Sequence, residues 1–227
     1  MENVLSNINL QVNSKLYLKN PKTSDLGRKI VKGSVDLIDE LGFENFTFKK
    51  LALKISTTEA SVYRYFENKN MILLYLINWY WLWLEYRIIF YTANIECPKE
   101  RLSRSIDIIS ETVKHQTGSS EIHAEKLNRI IISESSKAYL TKHIDEQNRY
   151  GFFADYKRLV NRISDMILEI NKKYKYPHML VSTVIEGIHF QRFFANHLPK
   201  LTDVVKGEDA VSIFYKDLLL KAIKNGR

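Results

Sequence analysis

Apolar residues recur three and four positions apart over most of this chain, which is the period of an amphipathic α-helix. The first run is Leu26, Ile30, Val31, Val35, Leu37, Ile38 and Leu41, starting near Ser24 and stopped by Gly42, a residue suited to the turn that ends a helix. Phe43 and Phe46 follow as plugs for a small core. Phe48, Leu51, Ala52 and Ile55 then put an apolar stripe on a helix otherwise made of Lys49, Lys50 and Lys54. Ser56, Thr57 and Thr58 break the period with side chains that favour turns and N-caps, and a second short helix turns Glu59, Ser61, Arg64 and Tyr65 outward. Asn68 is placed to cap a long helix from Lys69 to about Ala93.

Beyond a break at Cys97-Pro98 the pattern predicts helices over Lys99 to about Thr117, closed by Gly118-Ser119-Ser120, over about Ile122 to Tyr139, and over about Arg149 to Lys173, with Lys142 to Asn148 a polar loop or frayed end. Pro177 opens a helix that Pro199 ends, and the last runs from Ala210 to about Lys224. There is no sustained period-2 alternation and no internal repeat, so the fold class is all-α. Residues 1–22, rich in Asn, Ser and Lys, read as a flexible arm, 23–68 as a three-helix head, and 69–227 as a larger helical domain.

The long helix raises the question of a membrane. Its stretch from Met71 to Tyr91 approaches the ~20 residues that span a bilayer. However, Asn78, Glu85 and Arg87 interrupt it, and Trp79, Trp81 and Trp83 crowd its centre rather than its ends. A central helix buried on most sides is expected instead; a membrane-associated or lipid-binding helical protein is the alternative class. No secretory leader is read at the N-terminus, and Cys97 is the single cysteine among 227 residues, so a cytoplasmic protein without an internal disulfide is expected. Cys97 reads as a small semi-apolar residue rather than a reactive thiol.

Net charge is +8, a bias toward anionic partners that does not by itself separate DNA from RNA or a membrane surface. Residues 45–69 carry 5 Lys+Arg against 2 Asp+Glu, so the helix-turn-helix pattern is itself basic although the excess is only mildly concentrated toward the N-terminal end. In Thr47, Leu51-Ala52, the turn, Val62-Tyr63-x-Tyr65-Phe66 and Lys69, the stretch over roughly residues 24–75 resembles the DNA-binding segment of the TetR family of transcriptional regulators. One departure is the turn: Ser56-Thr57 stands where the family usually has Gly-Val, so Ser56 must adopt whatever backbone geometry the glycine permits.

The resemblance implies a homodimeric, ligand-responsive regulator, most simply a repressor released from a pseudo-palindromic double-stranded DNA operator by a small apolar or aromatic effector. It implies that Thr47, Lys49, Tyr63, Tyr65 and Lys69 face phosphates, and that Glu59, Ala60, Ser61 and Arg64, behind the Thr58 cap, face base edges. Glu59 serves equally as a partner of the helix dipole, and Tyr63 as packing. The effector pocket is expected among the central helices, with Trp79, Trp83, Tyr86, Phe153, Tyr156 and His189 as candidate lining. The last two helices are expected to pair with their two-fold mates through Val184, Gly187, Ile188, Phe214 and Leu218, with Gly187 either allowing close helix approach or relieving crowding inside one subunit.

Catalytic and metal chemistry find little support. The histidines at 115, 123, 143, 178, 189 and 197 form no His-x-x-x-His pair. Glu186-x-x-His189 matches half of the motif of helical di-iron proteins, but it occurs once where two copies are needed. No Gly-rich phosphate loop, Gly-x-Ser-x-Gly elbow or dinucleotide fingerprint is present. No catalytic residue, metal or cofactor is therefore expected.

Overall fold

A computed structural model describes residues 10–111 and 124–225. Among these the chain forms helices and 3-10 turns with no strand: α1 (Asp25–Asn45), α2 (Phe48–Lys54), α3 (Glu59–Tyr63), α4 (Lys69–Thr92), α5 (Pro98–Ser110), α6 (Ala124–Tyr139), α7 (Ile144–Arg149), α8 (Ala154–Ile170), α9 (Pro177–His197) and α10 (Ala210–Asn225). The end expected near Thr117 and the Gly118-Ser119-Ser120 loop lie outside the described residues. The chain divides into two compact units, the first drawn from Met1–Trp83 and Val113–Asp155, the second from Leu84–Thr112 and Tyr156–Arg227.

In the first unit α1 begins where Ser24 Oγ accepts the Gly27 N–H at 3.1 Å, satisfying one of the amides that a helix start leaves without a partner. The regular helix breaks at Gly42, whose φ of 74° and ψ of 158° lie outside helical space, and one further turn carries the chain to Asn45. That turn is tied down by α6: the Glu134 carboxylate accepts the Phe43 N–H at 3.2 Å. Along the same contact Arg129 donates twice to Asp39 at 2.8 Å, Lys126 pairs with Asp36, and Lys137 reaches Glu44 at 3.2 Å. Ile30, Val35, Phe46, Leu51, Val62 and Phe66 are buried and make the head's core. Asn68 Oδ1 accepts the Met71 N–H at 3.1 Å, the cap expected for the long helix. From Ile72 to Trp83 that helix is buried at every residue except Trp79 and Leu82, which explains why its sequence is apolar all round.

Two differences from the sequence reading concern chain direction. Residues 10–22, read as an arm, pack against the unit: Leu16 is fully buried, Val12 nearly so, and 3-10 turns form at Ser14–Leu16 and Pro21–Thr23. Gly27 permits this, because a Cβ at that position would overlap the Pro21 carbonyl. Lys142 to Asn148, read as a polar loop or frayed end, holds most of the short helix α7, and Gly151 at φ 79° turns the chain into α8.

The second unit packs α5, α8, α9 and α10 around Ile106, Ile109, Leu159, Ile163, Val184, Ile188 and Leu219. Its polar ties sit at helix ends. Asp107 accepts from Ser212 Oγ and Lys216 Nζ, each at 2.7 Å, and Arg192 bridges the Ser110 carbonyl to Asp209. Glu85, buried on α4, is neutralised by Arg158 at 2.7 Å and Arg162 at 3.2 Å, which lie one turn apart on α8. No helix among the described residues is long and apolar enough to cross a membrane.

Candidate nucleic-acid interface

The interface is built on two capped helices and the turn between them. Thr47 starts α2, its hydroxyl accepting the Lys50 N–H at 3.2 Å; Thr58 starts α3 the same way with the Ser61 N–H at 3.2 Å. Between them Ser56 sits at φ 55°, the left-handed geometry expected of the glycine it replaces, and the Thr57 N–H closes the turn on the Ala52 carbonyl at 2.9 Å. The turn therefore keeps its shape with a non-glycine residue. Val62, fully buried, anchors α3 in the core and leaves Glu59, Ala60 and Arg64 on the exposed side.

The expected contact residues divide into three kinds. Lys49, Glu59, Ala60 and Arg64 are exposed, and Lys49 and Arg64 have no ion-pair partner among the described residues. Tyr63 is about half exposed at 48%, its ring edge-on to Phe48 at 4.8 Å, so it packs and offers its hydroxyl at once. Thr47 and Thr58 serve as capping groups, and the Ser61 hydroxyl lies 2.9 Å from that of Thr58. The other α2 lysines are engaged within the protein: Lys50 donates to the Asn45 carbonyl at 2.9 Å and Lys54 to Glu40 at 3.0 Å.

Two expected anchors stand differently. Tyr65 is a core residue, 3% exposed, its hydroxyl 2.7 Å from Ser24 Oγ, so it ties α3 to the start of α1 instead of facing outward. The Ser24 hydrogen bond holds the phenol below its ordinary pKa against the opposing effect of burial, with the charges of Lys19 and Arg64 adding to the lowering. Lys69 donates to the carbonyls of Phe43 and Glu44 at 3.2 and 3.1 Å and lies over the Phe43 ring at 4.8 Å, a cation capping the carbonyl end of α1.

Of the candidate pocket residues, Trp79, Trp83 and Phe153 belong to the first unit and Tyr86, Tyr156 and His189 to the second. Trp79 stacks on Trp83 with centroids 6.3 Å apart, and Phe153 meets Tyr139 edge-on at 5.7 Å. Tyr86 stacks on Phe90 at 6.4 Å. Tyr156 donates to Glu186 at 2.9 Å; burial raises the Glu186 pKa, which that bond partly offsets. Burial of His189 lowers its pKa to about 4. No group of three His, Cys, Asp or Glu side chains that could hold a metal occurs among the described residues.

The expected interface residues also separate. Val184 and Ile188 are buried within their own chain, and Gly187 makes room for Tyr215 of the same chain, since a Cβ there would overlap the Tyr215 hydroxyl and ring. Within its own chain the space beside Gly187 is thus taken up by Tyr215. Phe214 and Leu218 are exposed, together with Phe190 and Ile213, which the sequence reading did not single out. Helices apolar on more than one face give no sequence signal for which face is free.

The class defined is a helix-turn-helix head on an all-helical body. Residues 30–76 match the sequence pattern of bacterial regulatory proteins of the tetR family, so the head is similar to the helix-turn-helix of that family. No curated protein sequence matches the chain. Similar solved structures include AibR in complex with isovaleryl coenzyme A and operator DNA, at 18% identity over 85% of this chain and 96% of that one, TM-score 0.55. The ketosteroid transcriptional regulator KstR2 of Mycobacterium tuberculosis is 16% identical over 94% and 95%, TM-score 0.52. The superantigen PfiT is 13% identical over 85% and 93%, TM-score 0.56. At such identities the likeness establishes the shared fold alone.

Proposed function

We propose that this protein is a ligand-responsive, DNA-binding transcriptional regulator, a cytoplasmic repressor rather than an enzyme, released from a pseudo-palindromic operator by a small apolar or aromatic effector. The observation that carries the reading is α3 itself: capped by Thr58, anchored by Val62, and showing Glu59, Ala60 and Arg64 on its open side within the matched segment. AibR, described with both operator DNA and an acyl coenzyme A, supports ligand control on this fold.

In this reading Lys49, Tyr63 and the Thr47 end of α2 position the head on phosphates, and Lys69 and Tyr65 act indirectly by holding α1 against it. Arg64 forks onto a guanine edge and Glu59 accepts from a cytosine amine, each contributing roughly 1–3 kcal/mol of discrimination. A homodimer through the open faces of α9 and α10 sets two heads on one duplex face. The effector sites in the helical body involve the Trp79/Trp83 stack or the Tyr156–Glu186 pair.

Selection from a random duplex pool tests the reading: a palindromic motif is expected, and Arg64→Ala is expected to relax the preference at one position of each half-site. Binding with no preference for any duplex would rule out the specific regulator.

A further inference from the structure

We infer that residues 13–20 form a rigid DNA-contacting arm, with the Lys19 ammonium placing one further positive charge on a phosphate beside the recognition helix. The inference rests on the DNA-binding reading above and concerns a segment outside the helix-turn-helix.

The arm is fixed on both sides of Lys19. Before it, Leu16 is fully buried, and the Leu18 N–H donates to the Tyr65 carbonyl at 2.8 Å, the residue just past the end of α3. Further back, Asn13 Nδ2 donates to the Tyr150 carbonyl at 3.0 Å. After it, Pro21 lies against Gly27 on α1 with no room for a side chain between them. The backbone of Lys19 is therefore ordered before any DNA arrives, which removes most of the entropy that a disordered basic tail loses on binding.

Three lysines and no acidic residue occur between residues 10 and 24. They are not equivalent. Lys22 donates to the Leu10 carbonyl and Lys15 lies over the Tyr150 ring at 5.2 Å. Lys19 is exposed, pairs with no carboxylate among the described residues, and sits over the Tyr65 ring at 5.2 Å. Tyr65 follows Arg64 directly and holds Ser24 at the start of α1. Lys19 thus brings an exposed cation, held at Tyr65 and paired with no carboxylate among the described residues, next to the recognition helix, and a cation with no competing acid there is what a phosphate needs.

The experiment measures affinity against salt for the full-length protein on a selected duplex and on an unrelated one. Lys19→Ala is expected to weaken both duplexes alike and to reduce the slope of log K against log salt by about 0.9, the loss of one phosphate contact. Lys19→Arg is expected to restore the slope, and Lys15→Ala to leave it as in the parent protein. Melting temperature is followed in parallel so that the comparison is made on folded protein. An unchanged slope for Lys19→Ala, or affinity lost without a slope change, overturns the arm and leaves the regulator reading standing. A parent protein that binds neither duplex overturns both.

Discussion

Ser56 carries a left-handed φ of 55° at a cost of roughly 1–2 kcal/mol for a residue with a Cβ. Replacing it by Gly relieves that strain and adds back ~0.5–1 kcal/mol of unfolded-chain entropy, so Ser56→Gly is expected to raise stability by up to about 1 kcal/mol in denaturant melts. A second residue gives a pH signature. The His189 pKa falls from 6.5 to about 4 on folding, because burial disfavours the imidazolium. Between those values the unfolded chain binds the extra proton, so stability declines as pH drops through that window, by on the order of 3 kcal/mol at its lower end. Asp209 works in the same direction, its pKa lowered by the Arg192 bond despite burial. Glu186 works in the opposite one, since its raised pKa means that its contribution is lost as pH rises. His189→Gln should flatten the acid limb of the stability curve; an unaltered limb would assign it to other groups.

At the scale of the element, what could be read in advance depended on length. Long helices such as α1 and α4 declare themselves through repeated apolar spacing, and the helix-turn-helix through its apolar stripe and the Ser56-Thr57-Thr58 break. The strained turn was legible too, from Ser56 standing in a glycine position. Tyr65 was not, because it lies just past the five-residue α3, where the facing of a single side chain is set by the distant Ser24 hydroxyl. Nor was the docking of residues 10–22, which rests on Leu16 burial and one main-chain bond at Leu18, neither of which leaves a periodic trace. Gly187 shows the same limit on α9, where a small residue fits both a helix crossing and an intrachain ring. Gly187→Ala forces Tyr215 to move, an overpacking that costs typically 1–3 kcal/mol. The loss should appear in melts at every protein concentration, whereas a residue at a subunit contact would act through dissociation.

For the whole molecule, the apolar residues left open on α9 and α10 are the features that a monomer does not explain. Phe190, Ile213, Phe214 and Leu218 are all more than 40% exposed. A two-fold contact that covers them is expected to break in Phe214→Glu, giving a slower-to-assemble or monomeric species by sedimentation while helical content is retained. Loss of operator affinity should accompany dissociation, since each half-site is then bound alone.

The carboxylate of Glu134 on the Phe43 amide, at the break after Gly42, gives the head a built-in reporter. That proton is shielded only while α6 stays in register with the end of α1. Its hydrogen-exchange rate therefore reads how firmly α6 holds the end of α1. Slow exchange is expected in the resting protein and fast exchange in Glu134→Ala. An effector that loosens the grip would be visible at this one amide before any change in DNA occupancy is measured.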